Sequence, residues 1–114
     1  MAPKWEIETE AEVETWIDSL VDRDFHRVRY LLDLLAERGD AMRLPLSRNL
    51  KRGLRELRFD LENKARRITY WITSERRIVL LTTFHKQRDN ERAEIDRARA
   101  AMERCRAEQH TADE

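Results

Sequence analysis

At 114 residues the chain has room for one domain, 1–114, and not for two ordinary ones. Lys and Arg balance Asp and Glu at 23 each, and hydrophobic and charged residues each make up 40%, which allows a modest core under a densely ionic surface. No apolar run approaches the roughly 18 residues of a membrane span, and the opening MAPKWEIE lacks the apolar region of a signal peptide, so no membrane contact and a cytoplasmic location are expected.

A single cysteine, Cys105, leaves no internal disulfide and no redox pair. His26, His85 and His110 have no metal-ligand spacing with it or with one another. Two glycines, Gly39 and Gly53, cannot build a phosphate-cradling loop. The expectation is a protein without metal or cofactor.

In chain order, Lys4–Glu8 alternates Trp5 and Ile7 with charges, the pattern of a short half-buried strand. A helix then starts at Thr9 or Glu10, and Val13, Trp16, Ile17 and Leu20 share one face of it. Trp16 is read as core. A second helix, capped by Asp22 or Asp24, runs to about Arg38 with the stripe Phe25, Val28, Leu31, Leu32 and Leu35. Gly39 stands where a left-handed C-terminal residue belongs. The two helices are expected to form an antiparallel hairpin on one face of a sheet. Residues 40–49 read as a connector, because Pro45 and Ser47 discourage regular structure.

Three strands follow: Leu54–Phe59, Arg66–Ile72 and Ile78–Phe84, the last two rich in β-branched and aromatic residues. Links of six residues (60–65) and five (73–77) suit antiparallel neighbours, since parallel ones need a crossover of about a dozen residues. Asp89 or Asn90 caps a last helix to about Ala107, whose stripe of Ile95, Ala98, Met102 and Cys105 is narrow enough to dock weakly, to move, or to receive another protein. The tail from His110 to Glu114 is expected to fray. The order β-α-α-β-β-β-α predicts an α+β domain, an antiparallel sheet packed against an N-terminal helical hairpin.

The neutral total hides an asymmetry. Residues 43–88 carry 13 Lys and Arg against 4 Asp and Glu, residues 1–42 carry 5 against 11, and residues 89–114 carry 5 against 8. Like charges repel, so cations clustered on three neighbouring strands point to an anion site. Alternation sends Arg55, Leu57 and Phe59 to one face and Leu54, Glu56 and Arg58 to the other. In the next strand Arg66, Ile68, Tyr70 and Ile72 oppose Arg67, Thr69 and Trp71. In the third, Ile78, Leu80, Thr82 and Phe84 oppose Val79, Leu81 and Thr83. The strand exit delivers His85, Lys86 and Arg88 together. A sheet surface could therefore bring Arg58, Arg67 and Lys86 to one phosphate, and Lys51, Arg52, Arg66 and Arg88 are candidates for further RNA contacts.

No Ser-His-Asp order or paired carboxylates are visible. On RNA, however, the substrate's 2′-hydroxyl is itself the nucleophile. The protein then supplies a proton acceptor, a proton donor for the leaving 5′-oxygen, and cations for the charge growing on phosphorus. Arg58 and Arg67 can be those cations. The His85 imidazole and the Lys86 amine, in this cation-rich stretch, are groups able to carry a proton; either can be the acid or the base.

With these residues in view the chain resembles the HigB-like branch of the RelE/ParE toxin superfamily. The resemblance rests on G-L-R-E-L-R-F (Gly53–Phe59), R-R-I-T-Y-W (Arg66–Trp71), I-V-L-L-T-T-F-H-K-Q (Ile78–Gln87) and E-I-D-R-A-R (Glu94–Arg99), and it covers about residues 4–105. It implies a RelE-like fold and a toxin of a type II toxin–antitoxin pair. The best understood of these toxins are ribosome-dependent, metal-independent mRNA endonucleases. The implied partners are the ribosome, mRNA and a helix-turn-helix, HigA-like antitoxin through which alone operator DNA is contacted. By position, Arg58 and Arg67 match the family's strand arginines, and Lys86 matches the first Lys of its F-x-K-K ending. That ending here is Phe84-His85-Lys86-Gln87, with Gln for the second Lys and a His before the first. The alternatives are a ParE-like inhibitor that binds DNA gyrase through protein contacts, and an inactive relative that only binds its antitoxin.

Overall fold

The computed structural model describes residues 4–112. Strand β1 (Glu6–Thr9) leads into helices α1 (Ala11–Asp18) and α2 (Asp22–Arg38), then a single 3-10 turn (Gly39–Ala41). Strands β2 (Ser47–Asn49), β3 (Leu54–Leu61), β4 (Lys64–Ile72) and β5 (Arg77–His85) follow, and helix α3 (Glu91–Ala112) ends the fold. The five strands form one sheet in the order β1-β5-β4-β3-β2.

The α+β architecture stands, with two additions. The sheet is mixed, because β1 runs parallel to β5 (Ile7 opposite Ile78, Thr9 opposite Leu80); helices α1 and α2 and strands β2–β4 lie between them in the chain, ample length for a parallel pairing. The expected connector also contributes β2, whose Ser47, Arg48 and Asn49 pair with Leu57, Glu56 and Arg55. Pro45 lies just outside this strand and so removes none of its hydrogen bonds.

The β3–β4 link is tighter than the sequence suggested. Glu62 and Asn63 have φ of 52° and 66°, the left-handed pair of a two-residue hairpin turn, so the strands extend to Leu61 and Lys64. Gly39 takes φ 51° after α2, and a Cβ there would sit 2.1 Å from the Trp5 ring. Glycine is needed both for the turn and for the close approach.

Each sheet face has its own core. On one face α1 and α2 pack Val13, Val28, Leu31 and Leu35 on Leu57, Phe59, Ile68, Tyr70, Ile78 and Leu80. Fully burying a Leu or Ile stabilises by about 1.5–3 kcal/mol, so this layer holds the helical hairpin firmly. Trp16 belongs to it, half-buried against the cluster. On the other face α3 packs Ala98, Ala101 and Met102 on Leu54, Trp71, Val79 and Leu81. The narrow stripe of α3 is thus docked.

Polar contacts fix α3 as well. Arg97 bonds both Glu94 and Glu12, and those two carboxylates push its guanidinium pKa up. Glu12 also accepts the Thr83 N–H at 2.9 Å, serving the β5 edge where β1 has ended. At the other side of the helix Arg99 donates to the Leu50 and Lys51 carbonyls at 2.6 and 3.2 Å. Asn90 accepts the Gln87 N–H and donates to the His85 carbonyl, both at 2.9 Å, which pins the turn into α3. The helix continues through His110 to Ala112 instead of ending near Ala107. Residues 1–3 and 113–114, where frayed ends were expected, lie outside the described residues.

Candidate nucleic-acid interface

The sheet register sorts the basic residues. Residues directly opposite one another share a face. Arg58 faces Arg67 across β3–β4, and Arg67 faces Phe84 on β5. Lys86 extends β5 by one step, its N–H bonding the Ala65 carbonyl at 2.8 Å, so its row is Asp60, Ala65 and Lys86. Counting back from Arg67, the next row is Arg48, Glu56, Thr69 and Thr82. All of these lie on the α3 face. Arg58, Arg67 and Lys86 thus share one surface.

His85 does not join them. It stands opposite Arg66, on the helical-hairpin face, and lines a cleft of about 220 Å³ with Trp16, Leu20, Asp24 and Arg66. The Arg66 guanidinium lies 4.3 Å from the Trp16 ring centroid, and its Nε donates to Thr83 Oγ1 at 3.1 Å. Burial pushes the Arg66 pKa down, against the opposite pull of Glu12 and Glu94.

The expected alternation also breaks in β5. Thr69 pairs with Thr82 but Tyr70 pairs with Leu80, so Leu81 is an extra residue. This bulge moves Thr82 and Phe84 to the α3 face and Thr83 to the face of Leu80 and Ile78.

The remaining candidates are spread out. Lys51 and Arg52 (φ 75° and 56°) form the turn into β3 with Gly53. Leu54, at that end, lies about 13 Å along the strand from Arg58 at the usual strand rise. Arg88 is exposed in the loop after β5.

Arg58 and Arg67 line an open cleft of about 510 Å³ together with Arg27, Leu44, Pro45, Leu46, Phe59 and Asp60. It sits where β3 runs past the end of β2. Arg27 reaches it from α2, its Nε donating to the Asp60 carbonyl at 3.1 Å. Arg67 is 7% exposed and Arg58 half-buried, so two like charges face each other with little water between them. Burial and the Arg58 charge push the Arg67 pKa down, and Glu56 opposes them. A guanidinium stays protonated through such shifts. The pair therefore presents fixed positive charge, suited to a phosphate or to the charge that develops on phosphorus.

The countercharge is Glu56, 1% exposed, whose Oε1 lies 3.8 Å from Arg67 Nε. Burial pushes its carboxyl pKa up, while Arg67, Arg58 and Arg48 pull it down. Arg48 in turn bonds Glu91 of α3 at 3.2 Å. Sequence reasoning did not single out Glu56, Arg27 or Arg48 as site residues. The alternation of β3 set Glu56 beside Arg58, but its burial needs α3 over that face. Among the described residues no group of three or more His, Cys, Asp or Glu side chains could hold a metal ion.

This mixed sheet with a helical hairpin on one face and a last helix on the other is the fold of RelE toxins. The Escherichia coli toxin RelE, as a double arginine-to-alanine mutant in the free state, superposes with a TM-score of 0.58 at 11% identity, over 89% of this chain and 97% of that one. The toxin–antitoxin complex RelBE2 from Mycobacterium tuberculosis contains a chain with a TM-score of 0.55 at 18% identity, over 73% of this chain and 99% of its own. At such identities the likeness is one of fold. The chain belongs to the phage-derived Gp49-like family (DUF891), whose family model matches residues 15–104. No curated protein matches it.

Proposed function

We propose that this chain is the toxin of a type II toxin–antitoxin pair, of the HigB-like kind, and that it cleaves mRNA on the ribosome without a metal. The observation that carries the reading is the opposed Arg58–Arg67 pair lining a cleft, with Lys86 one row along the same face. Membership of the Gp49-like family and the fold shared with RelE are consistent with it.

In this reading the substrate's 2′-hydroxyl attacks the adjacent phosphorus, forming a new O–P bond and expelling the 5′-oxygen. The proton lost by the hydroxyl passes to a base, and the leaving oxygen takes one from an acid. Arg58 and Arg67 stabilise the extra negative charge on the phosphoryl oxygens. Lys86 shares their face and is the closer candidate for proton transfer. His85, facing the other way with Arg66, is assigned no chemical step. Lys51, Arg52 and Arg88 contact RNA phosphates outside the cleft, a contribution that weakens as salt rises. The antitoxin, a helix-turn-helix HigA-like protein that also carries the pair to operator DNA, neutralises the toxin by offering acidic groups to the basic face.

The test is primer extension on a reporter mRNA in a reconstituted translation system, with and without ribosomes, for wild type, Arg67→Ala and Lys86→Ala. Ribosome-dependent cuts that vanish in both variants are expected. An intact message in that system, from a protein that arrests growth when expressed in cells, would overturn the RNase reading and point to a protein target such as gyrase.

A further inference from the structure

Neither folding nor phosphate binding alone explains Glu56. Both of its carboxylate oxygens are buried without a hydrogen-bond partner among the described residues. The neighbouring hydroxyls are already engaged: Thr69 and Thr82 bond each other at 2.6 Å, and Thr69 Oγ1 also accepts the Thr82 N–H at 3.1 Å. The contact with Arg67 at 3.8 Å is an ion pair outside hydrogen-bond range. A buried unsatisfied carboxylate is costly, and an apolar side chain of similar volume would avoid that cost. Such a group calls for a reason other than packing.

The charges around it suggest one. Glu56 faces Arg48 from β2, Arg58 from its own strand, Arg67 from β4 and Glu91 from α3, while β5 offers the neutral Thr82. Burial favours the protonated carboxyl; Arg67 first, then Arg58, favour the carboxylate. These two arginines are also the ones that line the cleft. An anion seated on them brings a second negative charge towards Glu56 and competes for its counter-ions. The balance then tips to the neutral acid.

We propose that Glu56 is the positioning residue of Arg67: it holds the guanidinium in the empty cleft, and it gives it up, taking a proton from solvent, when a phosphodiester occupies Arg58 and Arg67. This inference rests on the cleft being a seat for RNA phosphates. Occupancy and proton uptake are then coupled, so anion affinity falls as pH rises, by up to about tenfold per pH unit where a whole proton is taken up. Glu56 itself stays buried and touches no substrate.

The test uses the full chain and a single-stranded 2′-O-methyl RNA decamer, which cannot supply the attacking hydroxyl. Calorimetric titration in buffers of different ionisation enthalpy measures protons taken up on binding. The comparison of wild type with Glu56→Gln isolates this carboxyl, since every other titrating group is common to both. Expected are uptake of up to one proton more in wild type and a pH-dependent affinity that flattens in Glu56→Gln, which still binds. Carbon-13 NMR of the wild-type Glu56 carboxyl, with and without decamer, should show its titration displaced to higher pH by the RNA. Equal uptake in both chains, an undisplaced carboxyl titration, or no decamer binding would overturn the proposal. Because no cleavage is read, coupled uptake by a protein that leaves mRNA intact would sink the RNase reading alone.

Discussion

Arg66 and Arg67 are neighbours in sequence and opposites in surroundings. Arg66 points to the helical hairpin, where the Trp16 ring, the Thr83 hydroxyl and the acids Glu12 and Glu94 all serve it. Arg67 points to the α3 face, where it meets Arg58 and a carboxylate that has no hydrogen-bond partner among the described residues. One face stacks a single half-buried cation on an aromatic ring; the other sets two cations against each other in a cleft. Basic composition alone therefore does not make a site. What distinguishes the α3 face is positive charge kept close together beside a buried carboxylate.

The largest test of that difference is functional. Arg67→Ala should lower cleavage by roughly 10²–10³-fold, as expected for loss of one donor to a developing oxyanion, and Lys86→Ala by roughly 10²–10⁴-fold if it transfers a proton. Both are read as initial rates of reporter cleavage. Arg66→Ala, one residue from Arg67, should leave the rate within a few-fold. Equal losses at positions 66 and 67 would erase the distinction between the faces.

Stability should follow the opposite order. Leu80→Ala, in the fully buried core under the helical hairpin, should cost about 2–5 kcal/mol in urea unfolding. Arg66→Ala should cost about 0.5–2 kcal/mol through the lost contact with Trp16.

A smaller effect separates the faces by pH. The Glu56 carboxyl is raised above its ordinary 4.5 in the folded chain, so between those values the folded state holds more protons than the unfolded one. Stability conferred by that proton is present below pH 4.5 and is lost as pH rises through the folded value. Urea midpoints from pH 4 to 8 should therefore fall relative to those of Glu56→Gln. Parallel curves would show that the carboxyl is not strained. The smallest expected effect is His85→Ala, with cleavage within a few-fold of wild type; a loss as large as that of Lys86→Ala would return His85 to the chemistry.

Much of this was legible in the residues. The apolar spacing from Val13 to Leu35 pointed to the helical hairpin, and the β-branched runs after Arg66 to the last two strands. The charge partition marked the strands as the basic region, and alternation put Glu56 with Arg58. The candidate site was legible only in part. His85 and Lys86 are adjacent, and alternation alone puts them on opposite faces; nothing local says which of the two joins Arg58 and Arg67. The bulge at Leu81 reverses the alternation for Thr82, Phe84 and His85, and it exists only because β4 and β5 are paired in that register. Strand β2 was missed for a related reason: three residues beside a proline have little propensity of their own and become a strand by pairing with the β3 edge.

The sequence by itself determined which segments are helix or strand and where positive charge accumulates, because periodicity and composition act over a few neighbouring residues. The tertiary structure alone decided which arginines meet and which is stacked away. It also placed α3 over one face and buried Glu56 beneath it. Those outcomes depend on cross-strand register and on what covers each face, and both are set by residues far apart in the chain.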